Sequence, residues 1–164
     1  MRLFKGHTAG AHHNGRGSGS NYLCLHDDPQ WKRYNDGRQT FKGSIYGVEY
    51  EPFKNVFSES NNGGRPAPCA VCYVQGRSTI LMIPARTQCP DGWATEYAGY
   101  LVSENIFISS KRSSYICWDE APEITAGNTF QNQATVAPVE VECGSLPCSS
   151  YISGRELACV VCSK

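Results

Sequence analysis

Apolar positions in this chain come in short runs cut by glycine, proline and Asx residues, and no stretch keeps a 3.6-residue apolar period with caps at both ends. That pattern predicts a mostly β chain without long helices. Residues 1–7 read as a strand with Leu3 on one face and Phe4 on the other. A glycine-rich loop follows over 8–20, because glycine reaches backbone angles that other residues resist. Residues 22–25 read as a short strand, turned by His26-Asp27-Asp28-Pro29, where Asx side chains bond nearby amides and proline fixes φ. Trp31 and Tyr34 lead into Asn35-Asp36-Gly37, a hairpin-type turn, and residues 40–50 alternate loosely enough for one or two strands. A polar stretch over 51–67, with Asn61-Asn62-Gly63-Gly64, reads as a surface loop. The apolar run at 69–74 predicts a buried strand. The longest run, 78–84, predicts a central strand ended by Pro84. Further strands are expected over 95–101, 114–118, 135–142 and 157–163.

The same pattern occurs twice. Ser20-Asn21-Tyr22-Leu23-Cys24-Leu25-His26-Asp27-Asp28-Pro29 is answered 93 residues later by Ser113-Ser114-Tyr115-Ile116-Cys117-Trp118-Asp119-Glu120-Ala121-Pro122. Without a gap, that offset sets Gly6 against Gly99 and Phe4 against Tyr97. Val48-Glu49-Tyr50-Glu51 matches Val139-Glu140-Val141-Glu142 at 91, and Cys69-Ala70-Val71-Cys72 matches Cys159-Val160-Val161-Cys162 at 90. Self-similarity at one long period means two copies of one unit, too few for a solenoid. The expected organisation is a first repeat over 1–77, a connecting strand over 78–88 and a second repeat over 89–164, pseudo-symmetric and sharing one core.

Composition places this pair of repeats. The 164 residues suffice for one domain or two very small ones. Fifteen basic residues balance fifteen acidic ones, which argues against a nucleic-acid partner held through phosphates. No apolar run reaches the length of a membrane span, so membrane insertion is not expected. Nine cysteines point to an oxidising, extracellular setting, where small cores are stapled by disulfides. Cys24, Cys69, Cys72, Cys89, Cys117, Cys143, Cys148, Cys159 and Cys162 are the candidates. Equivalent roles are expected for Cys24 and Cys117, and a local bond between Cys143 and Cys148, which lack mates in the first repeat. The counterpart of Cys89 would fall a few residues before Met1. A first cysteine and a signal peptide are therefore expected upstream; alternatively an unpaired thiol links subunits. The competing reading is a Cys₄ zinc site built from the two CxxC pairs.

Candidate chemistry is asymmetric between the repeats. His7, His12, His13 and His26 all lie in the first, opposite Tyr100, Asn105, Ile106 and Asp119. Adjacent histidines in a flexible loop could ligate zinc or copper, or hydrogen-bond a sugar. Neighbours on an extended segment point to opposite faces, so His12 and His13 are not expected to share an ion. Asp27/Asp28 and Asp119/Glu120 either cap turns or accept bonds from sugar hydroxyls. A sugar site wants apolar walls with a few placed polar groups. His12, His13, Tyr22, Asp27, Asp28, Trp31, Tyr34 and Arg38 supply those types in the first repeat, and Trp118 and Asp119, with Tyr100, Glu104 and Asn105, in the second. Trp93 reads as core. No Gly-x-Ser-x-Gly elbow, P-loop or His-Glu-x-x-His motif occurs, and neither an enzyme nor a cofactor is expected.

Several blocks occur in order: Ala9-Gly10-Ala11-His12-His13, Ile83-Pro84-Ala85-Arg86, Cys89-Pro90-Asp91-Gly92-Trp93, Cys143-Gly144-Ser145-Leu146-Pro147-Cys148 and Gly154-Arg155-Glu156-Leu157-Ala158-Cys159. Together they resemble the non-collagenous cysteine-rich domain of short-chain collagen C4, or spongin-like, proteins of marine invertebrates, over essentially the whole chain. No Gly-X-Y tract accompanies them here. The resemblance implies a secreted protein of the extracellular matrix or body fluid. Small sponge lectins of this size class, some preferring N-acetylated sugars, resemble the same module. The expected function is therefore a secreted lectin that binds glycans or glycoproteins and works as a homo-oligomer, because multivalency supplies avidity that a single sugar site lacks. An extracellular-matrix or biomineral scaffold is the first alternative, and a histidine-based metal-binding protein the second.

Overall fold

The computed structural model describes residues 1–33, 35–38, 40, 42–52, 56–57, 63–105, 112–127, 129–131 and 133–164. Tyr34, Asn61, Asn62 and Ile106 lie outside the described residues. Among the described residues the chain is all β, with no helix. The strands are β1 (Arg2–Gly10), β2 (Leu23–His26), β3 (Tyr46–Tyr50), β4 (Pro68–Cys72), β5 (Ile80–Pro84), β6 (Ala94–Ser103), β7 (Ile116–Asp119), β8 (Ala134–Pro138) and β9 (Ala158–Ser163). One curled sheet holds them in the order β2-β1-β3-β8-β6-β9-β5, with β4 also on β1 and β7 also on β6.

Two antiparallel ribbons form the ends of this sheet, and their registers match at the offsets read from the sequence. Gly6 pairs His26 and Cys69 in the first ribbon, and Gly99 pairs Asp119 and Cys159 in the second. The irregularity between Arg2 and Phe4 recurs between Thr95 and Tyr97. A Cβ at Gly6 would run into the Leu25 carbonyl, and one at Gly99 into the Trp118 carbonyl. Glycine is required at both positions because the neighbouring strand passes too close for any side chain. The ribbons meet at a parallel seam, Val48 beside Ala134, Glu49 beside Thr135 and Tyr50 beside Val136.

The main core lies over that seam. Val48, Tyr50, Phe57, Val102, Ala134 and Val136 are buried together, with Tyr22, Tyr100, Ile116 and Trp118 packed against them. A second cluster joins Leu101, Cys117, Cys159 and Val161 on the other face of the second ribbon. Four disulfides link Cys24–Cys69, Cys89–Cys162, Cys117–Cys159 and Cys143–Cys148, which leaves Cys72 as an exposed thiol. Cys24 and Cys117 thus hold equivalent positions, and Cys143 bonds locally to Cys148. The Cys₄ zinc alternative falls, because three of its four sulfurs are in disulfides.

Two strand expectations are corrected. The longest apolar run is an edge strand rather than a central one: among the described residues β5 pairs only with β9, and Ile80 is 68% exposed. The run 69–74 is likewise only half-buried, as β4 pairs only with β1 among the described residues. Apolarity of a short run reports a strand but not its place in the sheet, which long-range pairing decides. The first strand also reaches Gly10, so the loop starts three residues later than predicted.

Candidate functional site

Beyond Gly10, β1 gives way to a tight turn in which the Gly15 amide donates to the His12 carbonyl at 2.8 Å. The turn brings His12 and His13 to the same side. Their rings stack with centroids 4.6 Å apart, where an extended segment would have pointed them apart. The ring of Tyr46, opposite Gly10 on β3, makes a T-shaped pair with His12, centroids 5.0 Å apart. Arg38 Nη2 donates to the Tyr46 hydroxyl at 3.3 Å. The result is a half-buried aromatic shelf flanked by a guanidinium.

The two imidazoles hold different tautomers when neutral. The Asn14 amide donates to His12 Nδ1 at 3.2 Å, so the His12 proton sits on Nε2. His13 Nδ1 contacts the Gln133 carbonyl at 3.1 Å, and a carbonyl can only accept, so the His13 proton sits on Nδ1. Nε2 is therefore a donor on one ring and an acceptor on the other. Burial, aided by His13 and Arg38, lowers the His12 pKa below its ordinary value, which favours this neutral state.

A polar network supports the shelf from the second half of the chain. Tyr22 donates its phenolic proton to the Thr135 carbonyl at 3.0 Å and so accepts from Ser113 Oγ at 3.1 Å. Ser113 in turn accepts from Ser103 Oγ and from the Glu104 amide, both at 3.0 Å. Glu104 takes two bonds from Thr135, at 2.7 Å from the hydroxyl and 3.3 Å from the amide. Burial raises the Glu104 pKa, opposed by the Thr135 bonds and by nearby His13. Burial likewise raises that of Tyr22. A cavity of about 10 Å³ beside Tyr22, Glu104 and Ser113 is the size of a single water.

The structure divides the residues proposed from the sequence. His12, His13, Tyr22 and Arg38 gather where β1 ends. Asp27 and Asp28 leave β2 at its opposite end, where Asp27 sits 3.4 Å from Lys5 Nζ and 3.6 Å from His7 Nε2. Trp31 follows them at the surface, 75% exposed. Trp118 packs edge-on to Tyr50 in the core, with centroids 5.7 Å apart. Asp119 caps its turn by accepting from the Ala121 amide at 2.8 Å.

Sequence reasoning missed Tyr46, Ser113 and Thr135, which the chain brings in from three separate segments. It also missed an open groove of about 490 Å³ beside the Cys143–Cys148 loop, lined by Tyr151, Arg155, Glu156, Pro147 and Val141. Among the described residues, no three His, Cys, Asp or Glu side chains cluster as metal ligands. No helix among them is long and apolar enough to cross a membrane. No protein-family model matches the chain, and no solved structure matches its fold.

Proposed function

We propose that the protein is a secreted carbohydrate-binding protein whose site is the His12–His13–Tyr46–Arg38 shelf. The observation that carries this reading is the aromatic shelf of His12, His13 and Tyr46, with the His12 Nε2–H donor and the Arg38 guanidinium at its edge. A sugar hydroxyl accepts from His12 Nε2, and a neighbouring hydroxyl accepts from the Arg38 guanidinium. The C–H face of the ring then packs on the aromatic surface, with Arg38 beside it. Four disulfides support an extracellular setting. Single-site affinity for a sugar is limited, so function through a homo-oligomer is part of the proposal.

Binding to a broad glycan array, with and without chelator, tests it. The expected result is a set of hits sharing one terminal sugar, insensitive to chelator and lost in the His12→Ala and Arg38→Ala variants. Hits that both variants keep would move the site elsewhere, with the Tyr151 groove next in line. Hits lost with chelator would give the histidines a metal-binding role. A blank array favours the matrix-scaffold reading, which the exposed thiol of Cys72, on a strand edge unpaired among the described residues, supports.

A further inference from the structure

The outer edges of the two ribbons differ. In the second ribbon, β9 is covered by β5 in antiparallel register, with Leu81 opposite Cys162. Eight residues beyond Leu81, Cys89 turns back and bonds Cys162. Strand β9 is consequently buried from Cys159 to Ser163, with Val160 and Cys162 fully so.

In the first ribbon, β4 takes the place of β9. Lys5 pairs Ala70 where Ala98 pairs Val160, and Arg2 pairs Cys72 where Thr95 pairs Cys162. Strand β4 has no covering strand among the described residues. Ala70 and Cys72 are exposed where Val160 and Cys162 are buried. This edge lacks the usual protections. Pro-Cys-Ala-Val-Cys carries no charge, and its one proline stands at the first position.

We propose that this edge is an acceptor for an extended polypeptide segment of the β5 kind: a short apolar strand that adds to β4, followed by a cysteine that bonds Cys72. The same molecule supplies the template, because β9 and Cys162 receive β5 and Cys89 in that way. Main-chain bonds give such strand addition its affinity, and the disulfide makes it permanent. The covalent step is thiol–disulfide exchange. The Cys72 thiolate attacks the incoming cysteine's sulfur in a mixed disulfide with a small thiol, the new S–S bond forms, and the small thiol leaves with the proton Cys72 lost. The inference does not depend on the glycan site, which lies at the other end of β1.

A synthetic peptide with the sequence of residues 78–92, its cysteine activated as a 2-thiopyridyl disulfide, tests the proposal on the intact protein. A scrambled peptide carrying the same activated cysteine is the control. The ordered peptide is expected to modify Cys72 at least tenfold faster, as read by thiopyridone release and peptide mapping. Its adduct should protect the β4 amides from hydrogen exchange, and a Cys72→Ser variant should form no adduct. A Met82→Pro peptide, unable to complete the ladder, should behave like the scrambled one. Equal rates for ordered and scrambled peptides, or an adduct that leaves β4 exchange unchanged, overturn the proposal. So does modification of cysteines other than Cys72.

Discussion

Protonation of His12 works against both the fold and the proposed ligand. Its pKa in the folded chain lies below the ordinary 6.5, so between those two values the unfolded chain binds more protons. Its contribution to stability is complete above about 6.5 and is lost as pH falls through the lowered value. Protonation also puts a hydrogen on Nδ1, where the Asn14 amide now donates, and sets a cation beside Arg38. We therefore expect affinity for a neutral glycan to be flat from pH 8 to 7 and to weaken, by about fivefold for one lost hydrogen bond of about 1 kcal/mol, as pH falls through the lowered value and the Asn14 bond that places His12 is broken. Calorimetric titration from pH 8 downward checks this, and affinity unchanged at a pH where NMR shows the His12 ring protonated would remove His12 from the site. Such details were only half legible in the sequence. Adjacent histidines in a glycine-rich loop marked the position, but their stacking depends on the turn closed by the Gly15 amide. Tyr46 came from a segment whose register nothing local specifies.

Disulfides and strand edges act at the scale of the element. Cys117–Cys159 closes a separation of 42 residues and Cys143–Cys148 one of 5. Chain entropy alone makes these worth about 4 and about 2 kcal/mol. The first also lies in a core cluster with Leu101 and Val161, so removing it exposes packed surface as well. A Cys117→Ser/Cys159→Ser variant should therefore lose at least twice the stability lost by Cys143→Ser/Cys148→Ser in urea titrations. Equal losses would mean that the long bridge does not restrain the unfolded chain as its span implies. The repeated Tyr-x-Cys block and the paired glycines Gly6 and Gly99 were legible as a repeat, but the close strand approach that requires glycine at both positions shows only once the strands are paired. The position of β5 was not readable. An apolar run such as 78–84 suits a central strand or an edge, and the choice depends on β9, which pairs with it from about 80 residues further along the chain.

For the whole molecule, the question is whether the two ribbons unfold separately or together. Three features tie them. The parallel seam buries Val48, Ala134 and Val136, each at most 1% exposed. Tyr22 and Tyr50 of the first half donate to the Thr135 and Glu123 carbonyls of the second, at 3.0 and 2.6 Å. The Thr125 and Phe130 amides return bonds to the Pro66 and Gly64 carbonyls. Burial pushes the Tyr50 phenol up to about 12 from the ordinary 10.0, so its contribution is present below pH 10 and is lost as pH rises through about 12. Shared burial of this kind makes a small domain unfold in one cooperative step. Val136→Ala should cost about 2 kcal/mol, the transfer of two methyl groups plus a partial cavity. If the seam couples the halves, native-state hydrogen exchange should show that loss equally in the slowest amides of β1 and of β9. A loss confined to β9, with β1 exchanging as before, would mean that each ribbon is a folding unit held by its own disulfides and that the seam only docks one on the other.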